Sequence, residues 1–168
     1  MDDIAYIRIA EKIDENPIMA PKSEDGTGFH PSFIKYLQLV YSPEEAEILQ
    51  YFPRPNKFIS TQEVAEISGK DIDAVERILS DIHRRNGIVG MGKFYCLPGL
   101  QLLLNMHQFY PDVKPEDIEA AKLYKEFFIN EKYSRFYQTG KNGTPLMRTI
   151  PVSKSLAPQE KSLDTEEA

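Results

Sequence analysis

The chain has 168 residues, a formal net charge of −6 and a single cysteine, Cys96. Its 41% hydrophobic and 27% charged residues are ordinary for a globular protein, and its length suffices for one compact domain with appendages. One cysteine excludes an intrachain disulfide and a cysteine-rich metal site within the chain. The negative charge argues against nonspecific attraction to nucleic acid or anionic membranes, although a local basic patch can override it.

The sequence predicts neither a targeting segment nor a membrane span. No apolar run approaches the ~20 residues that a membrane-spanning helix needs. The chain starts with Met1, Asp2 and Asp3, so it lacks the basic start and apolar core of a signal peptide. We therefore expect a cytoplasmic protein that does not associate with a membrane.

Residues 1–41 are predicted to form a helical N-terminal extension. The first helix spans residues 3–14, with Asp3 as its N-cap. A loop rich in proline and glycine follows from residue 17 to residue 28, and Pro31 fits the first turn of a second helix. The residues at helical spacing are Ile4, Ile7 and Ala10 or Glu11 in the first helix and Phe33, Ile34, Leu37 and Val40 in the second.

Residues 42–99 carry the clearest helix signals. Two segments, Ser42–Glu45 and Ser60–Glu63, match the capping box, in which a serine accepts from the third amide and a glutamate reaches back. Asp71 is predicted to cap a third helix that ends near residue 86. The residues expected to face inward are Ala46, Ile48, Leu49 and Phe52, then Val64, Ala65 and Ile67, and then Ile72 or Val75 with Ile78, Leu79 and Ile82.

A β-hairpin is predicted after the third helix. Two β-prone runs, residues 88–89 and 94–97, flank the turn sequence Gly90-Met91-Gly92-Lys93. Three short helices followed by a hairpin have the order of a winged helix-turn-helix. The predicted fold is therefore mainly α with a small β-hairpin: a winged helix-turn-helix over residues 42–99, with extra N-terminal helices and a long C-terminal helix.

Residues 100–139 are predicted to form helices that pack on the winged helix-turn-helix. An apolar helix runs from Leu100 to Tyr110, and the longest helix runs from Pro115 to about Tyr137. Its apolar stripe is predicted to contain Ile118, Ala121, Tyr124 or Lys125, and Phe128, with Phe127, Tyr133, Phe136 and Tyr137 beside it. Residues 140–168 are predicted to be an extended segment followed by a flexible polar tail.

Binding of DNA is one function to weigh, because a winged helix-turn-helix often inserts its third helix into the major groove. That helix opens with Asp71, Asp73 and Glu76, whose charge repels a phosphate backbone. Over residues 70–86, four basic and four acidic side chains cancel. The side chains that would contact nucleic acid are Lys70, Arg77, Arg84, Arg85 and Lys93.

No catalytic, cofactor-binding or metal site is predicted in this chain, and we do not expect it to be an enzyme. His30, His83 and His107 show no metal-ligand spacing, and neither a phosphate-binding glycine loop nor a nucleophile elbow is present. Cys96 lies in an apolar strand, where a lone cysteine usually acts as a small buried hydrophobic residue.

Protein interaction is a further function to weigh. The helices after residue 99 carry more apolar and aromatic surface than a small three-helix core needs, so part of it can contact a protein partner or close a homodimer. This expectation rests on analogy with other winged-helix proteins rather than on a motif.

Three segments in order resemble the N-terminal region of ferredoxin-like [4Fe-4S] proteins of anaerobic bacteria and archaea. They are Tyr6-Ile7-Arg8-Ile9-Ala10-Glu11-Lys12-Ile13-Asp14, Tyr41-Ser42-Pro43-Glu44-Glu45-Ala46-Glu47-Ile48 and Thr144-Pro145-Leu146-Met147-Arg148-Thr149-Ile150-Pro151-Val152.

In that family, a winged-helix-like segment and the Arg-Thr-Ile-Pro-Val element precede a domain rich in Cys-x-x-Cys repeats. With only Cys96, this chain lacks the four thiolates that each cluster needs. The resemblance therefore implies a non-catalytic interaction or regulatory domain of an electron-transfer protein. It also implies that the [4Fe-4S] cofactor belongs to a longer parent protein and that the partner is a protein or the parent's own iron–sulfur domain. The alternative is a winged-helix transcriptional regulator that binds DNA.

Overall fold

A computed structural model describes residues 3–105, 114–129, 133 and 141–143. This part of the chain is mainly helical, with a small antiparallel sheet of three strands, as the sequence predicts. The helices are α1 (Ile4–Asp14), α2 (Pro31–Val40), α3 (Pro43–Leu49), α4 (Thr61–Ser68), α5 (Ile72–Arg84), α6 (Leu100–Asn105) and α7 (Pro115–Phe128), and the strands are β1 (Ile59–Ser60), β2 (Val89–Met91) and β3 (Phe94–Cys96).

Both predicted capping boxes are confirmed. At the start of α3, Ser42 Oγ accepts from the Glu45 amide at 3.4 Å, and the Glu45 carboxylate accepts from the Ser42 amide at 2.8 Å. Ser60 and Glu63 make the same pair of bonds at 3.2 and 2.9 Å at the start of α4. Each cap satisfies amides that the helix leaves unpaired and contributes about 1 kcal/mol.

The sheet contains the predicted hairpin and one strand that was not predicted. Its order is β1-β3-β2, and both pairings are antiparallel. The turn is shorter than the predicted four residues, since only Gly92 and Lys93 separate the strands and Met91 pairs with Phe94. Gly92 has φ +63°, which suits the first central position of a type II′ turn. β1 was not predicted because a strand of two residues, Ile59 and Ser60, is too short to show the alternation of apolar and polar residues that identifies a strand.

Three buried tyrosines connect distant segments of the core. The hydroxyl of Tyr6 donates to the Tyr41 carbonyl at 3.1 Å, and that of Tyr41 donates to the Gly87 carbonyl at 2.8 Å. Tyr36 donates to the Leu103 carbonyl of α6 at 3.1 Å. Burial raises the pKa of Tyr36 and Tyr41 above the ordinary value of tyrosine, so both stay neutral donors.

The most extensive packing between two helices joins α7 to α2. The Phe127 ring meets Phe33 and Tyr36 edge-on, with centroids 5.5 and 5.8 Å apart. The main partner of α7 therefore lies in the N-terminal extension, whereas we expected the 42–99 segment. The predicted stripe is wrong at Ile118, which is 54% exposed, whereas Tyr124 and Phe128 are partly buried against the core. The fully buried residues of α7 are Ala120, Leu123 and Phe127.

The predicted face of α1 is wrong at Ile4 and Ile7, whereas Ala10 is buried as predicted. Ile4 and Ile7 are 55% and 40% exposed. The helix has two apolar stripes, and the longer one is buried, because four residues at i, i+3, i+4 and i+7 cover more of the core. The Asp3 carboxylate makes no cap and instead accepts from the Gln38 amide group at 2.7 Å. The buried stripe of α1 consists of Tyr6, Ile9, Ala10 and Ile13.

Two further inward predictions are corrected in the central helices. Ile67 of α4 is 57% exposed, and of the alternatives at the start of α5, Val75 is buried and Ile72 is 43% exposed. Several other predictions lie outside the described residues: the end of the apolar helix (106–110), most of the extension of α7 beyond residue 129, and the extended segment and tail from residue 144 onwards.

Candidate nucleic-acid interface

α5 is the helix that the sequence analysis predicts would enter a DNA groove. The Asp71 carboxylate caps it, accepting from the amides of Asp73 and Ala74 at 3.1 Å each. The carboxylates of Asp71 and Asp73 thus lie in its first turn, as predicted. Its opposite face is buried in the core by Val75, Ile78, Leu79 and Ile82.

All five cations predicted as nucleic-acid contacts form ion pairs with carboxylates of this chain. Three of these carboxylates belong to α3, so the basic side chains at and near α5 bridge back to that helix. The pairs are Lys70 with Glu47 (2.9 Å), Arg77 with Glu44 (3.6 Å), Arg84 with Asp81 (3.1 Å), Arg85 with Glu45 (2.6 Å) and Lys93 with Glu76 (3.1 Å).

The Arg85–Glu45 pair is the most enclosed of the five, since the Glu45 side chain is only 12% exposed. The two guanidinium nitrogens of Arg85 donate to the two carboxylate oxygens at 2.7 and 2.6 Å, and one nitrogen also donates to the Val40 carbonyl at 3.1 Å. Burial alone would raise the pKa of Glu45, but hydrogen bonds from Arg85 and from the Ser42 amide outweigh it and hold the pKa below its ordinary value. Arg85 thus joins α5 to α3 and to the end of α2.

The pairs of Arg77, Arg84 and Lys93 lie at the surface, where these side chains are 63%, 77% and 72% exposed. Exposed ion pairs contribute only about 0–1 kcal/mol, so a polyanion can compete for these cations. Each of these cations nevertheless has a carboxylate partner, so a phosphate backbone that approached this surface would meet a net charge close to zero. Whether these residues contact nucleic acid stays a prediction.

The three α3 acids are the part of this arrangement that sequence reasoning missed. Glu44 and Glu45 were interpreted as capping and solubilising residues of a first helical turn. That role is real for Glu45, but its partner Arg85 follows 40 residues later. No local pattern connects positions so far apart, so the sequence contained no signal for the pair.

Cys96 and the two described histidines, His30 and His83, take part in packing and helix capping. Cys96 is a buried free thiol, and burial raises its pKa. His30 caps α2 by accepting from the Ser32 amide at 3.2 Å, and the His83 ring lies edge-on to Tyr95 with centroids 6.0 Å apart. His107 lies outside the described residues. Within the described ranges, no three His, Cys, Asp or Glu side chains are grouped so that they could hold a metal ion.

Two concave regions lie on the described part of the surface. A cleft of about 580 Å³ lies beside α1, where Asp14 accepts from the Lys22 ammonium at 2.9 Å and Lys22 lies 4.0 Å from the Phe29 ring centroid. A more open groove of about 480 Å³ lies between α4 and α5 and includes Ala65 and Ile72.

Comparison of the chain with models of protein families, with curated proteins and with solved structures gave no match. Among the helices of the described ranges, none has the length and apolar character needed to cross a bilayer.

Proposed function

We propose that this chain is a non-catalytic winged helix-turn-helix domain that binds protein rather than nucleic acid. The order α3-β1-α4-α5-β2-β3, with β1 paired to β3, supports the winged-helix assignment. The observation that carries the functional choice is the pairing of all five candidate DNA-binding cations with internal carboxylates. Affinity for DNA depends mainly on cations that replace condensed counterions, and paired cations do this poorly.

Exposed apolar side chains support the protein-binding half of the proposal. Met91 and Phe94 of the hairpin and Phe58, just before β1, are 68%, 49% and 42% exposed. Large apolar side chains that cluster at a surface are typical of sites that contact another protein. We further propose, from the resemblance, that the domain belongs to a ferredoxin-type [4Fe-4S] electron-transfer protein and serves there as an interaction or regulatory module.

The iron–sulfur part of the proposal is tested on the product of the native gene, purified without oxygen. Iron and acid-labile sulfide are measured per chain together with the intact mass. The proposal predicts a protein longer than this chain that contains both elements in stoichiometric amounts. A native product that ends at Ala168 and contains no iron would contradict it.

The alternative of a DNA-binding regulator is favoured by the element order alone. Fluorescence anisotropy with a labelled duplex at low salt tests it, because electrostatic binding is strongest there. The proposal predicts no saturable binding below ~100 µM protein, which is the weak end of ordinary nonspecific affinity. Binding in the low micromolar range that weakens steeply with added salt would favour the regulator.

A further inference from the structure

β2 is one of the two edge strands of the described sheet, and the hairpin geometry fixes which of its backbone groups point away from β3. In a two-residue hairpin, the residues that flank the turn, Met91 and Phe94, form a hydrogen-bonded pair. Because such pairs alternate along an antiparallel ladder, Gly90 and Tyr95 form the next, non-hydrogen-bonded pair. The N–H and C=O of Gly90 therefore point outward from the sheet edge.

From this geometry we propose that β2 pairs antiparallel with β2 of a second copy of this chain, with Gly90 opposite Gly90 on the two-fold axis. The two glycines exchange two backbone hydrogen bonds, and the two three-stranded sheets join into one sheet of six strands. The interface is self-complementary, as a two-fold axis requires.

The absence of a side chain at Gly90 is explained by the packing of β2 against α5. A Cβ at residue 90 would lie 2.9 Å from the Tyr95 ring and 3.0 Å from the His83 ring, so the face toward α5 is already filled. Pairing at the outer edge uses only the backbone N–H and C=O of residue 90, which lie in the plane of the sheet. The glycine is therefore required by the packing against α5, and this packing leaves the edge groups of residue 90 pointing away from β3.

The two-fold register also aligns the apolar residues on the outer face of the sheet. Met91 and Phe94 are neighbours on this face, which is the face opposite to Tyr95. Ser60 pairs with Phe94 and lies on this face, and the period of two along a strand places Phe58 on the same face. In the joined sheet, Met91 lies opposite Val89 of the second copy, which places the most exposed large apolar side chain of the described residues beside another apolar side chain.

Charge at the edge does not oppose the pairing. Natural edge strands are commonly protected by lysine, proline or a bulge, and the β2 sequence Val89-Gly90-Met91 contains neither lysine nor proline. The neighbouring Lys93 is engaged by Glu76 on α5 at 3.1 Å. The edge is short, so we expect a dimer that forms in the micromolar range rather than an obligate one.

The first test measures the mass of the full chain by light scattering coupled to size exclusion over a range of loading concentrations. The unchanged chain is expected to shift from monomer to dimer as its concentration rises. Met91→Lys places a charge on the edge and is expected to weaken dimerisation at least ~10-fold. Ile67→Lys is the matched control, since Ile67 is similarly exposed but lies on α4, and we expect it to leave the dimer unchanged.

The second test traps the register by a disulfide. One variant carries Val89→Cys and another carries Met91→Cys, both with Cys96→Ala so that the native thiol cannot compete. In the proposed register, residues 89 and 91 of opposite copies form a non-hydrogen-bonded pair with Cα atoms about 4.5 Å apart, within reach of a disulfide. The mixed sample is expected to form a covalent dimer on mild oxidation, and neither variant alone is expected to do so.

Two results would overturn the proposal. One is a monomer mass at all concentrations together with no cross-link in the mixture. The other is a dimer that Ile67→Lys disrupts and Met91→Lys leaves intact, because that dimer would use another surface. Neither result bears on the iron content or the DNA affinity of the protein, so failure here is distinguishable from failure of the proposed function.

Discussion

The two sides of α5 use the same kind of ion pair for different purposes. Toward α3, Arg85 and the mostly buried Glu45 form a two-point bond that also reaches the Val40 carbonyl. Toward the hairpin, Lys93 and Glu76 meet at the surface, where the lysine is 72% exposed. Burial is the difference: the first pair holds three helices together, whereas the second mainly sets the local charge. The comparison teaches that a basic residue on a presumed recognition helix is not evidence of DNA binding until its partner is known.

The largest effect is expected from breaking the buried pair. Arg85→Ala leaves the Glu45 carboxylate enclosed without its cation and removes a donor from the Val40 carbonyl. Loss of one partner from a fully buried pair costs 3–5 kcal/mol, and since Arg85 is itself partly exposed we expect about 2 kcal/mol. Urea denaturation measures this change. Arg84→Ala, at the exposed neighbouring position, is the control and should change the free energy of unfolding by less than about 0.5 kcal/mol.

The pH dependence of stability should follow the same pair. The folded-state pKa of Glu45 is lowered, so its contribution is present above the unfolded pKa of about 4.3 and is lost as the pH falls through the folded value. Asp25, which accepts from Ser23 and Thr27 in an exposed loop, has its pKa lowered to about 2 and acts in the same direction. We expect the free energy of unfolding to fall between about pH 5 and pH 2.

Comparison of two variants separates these contributions. Arg85→Ala should flatten the acid side of the stability profile, because the hydrogen bonds that lower the Glu45 pKa are reduced. Asp25→Asn removes only the loop carboxylate and should leave the part due to Glu45. Equal acid profiles for Arg85→Ala and the unchanged chain would show that the Glu45 pair is not linked to folding.

The smallest effect is expected at the hairpin. Lys93→Ala removes an exposed ion pair and should lower the free energy of unfolding by less than about 0.5 kcal/mol. Thermal unfolding followed by circular dichroism is sufficient to check it. A loss of 2 kcal/mol or more would mean that the hairpin pair is as structural as the buried one, and the distinction between the two sides of α5 would fail.

The sequence predicted those features that depend on neighbouring residues. The starts of α3 and α4, capped by Ser42 and Ser60, could be predicted because a capping box spans only four positions. The hairpin was predicted from the turn sequence Gly90-Met91-Gly92-Lys93. The third strand of the sheet, β1, was missed because its two residues, Ile59 and Ser60, are too few to show alternation. In α1, isoleucines on both sides of the helix left the buried face ambiguous.

The ion pairs of the candidate interface could not be predicted, for a physical reason. The pair of Glu45 and Arg85 joins two helices that are distant in sequence, and its formation depends on how α3 and α5 pack. The acidic start of α5 was visible in Asp71 and Asp73, and it correctly indicated a helix with little positive charge at that end. What the sequence did not reveal is that the remaining cations also have acidic partners.

The most direct test of the account releases the surface cations and asks whether DNA binding appears. The double variant Glu44→Gln and Glu76→Gln frees Arg77 and Lys93, and the double variant Glu11→Gln and Glu24→Gln makes the same change in net charge elsewhere. Fluorescence anisotropy at low salt should show salt-sensitive DNA binding for the first variant, and none for the second or for the unchanged chain. Tight DNA binding by the unchanged chain would contradict the account, because the internal pairs would then not neutralise this face.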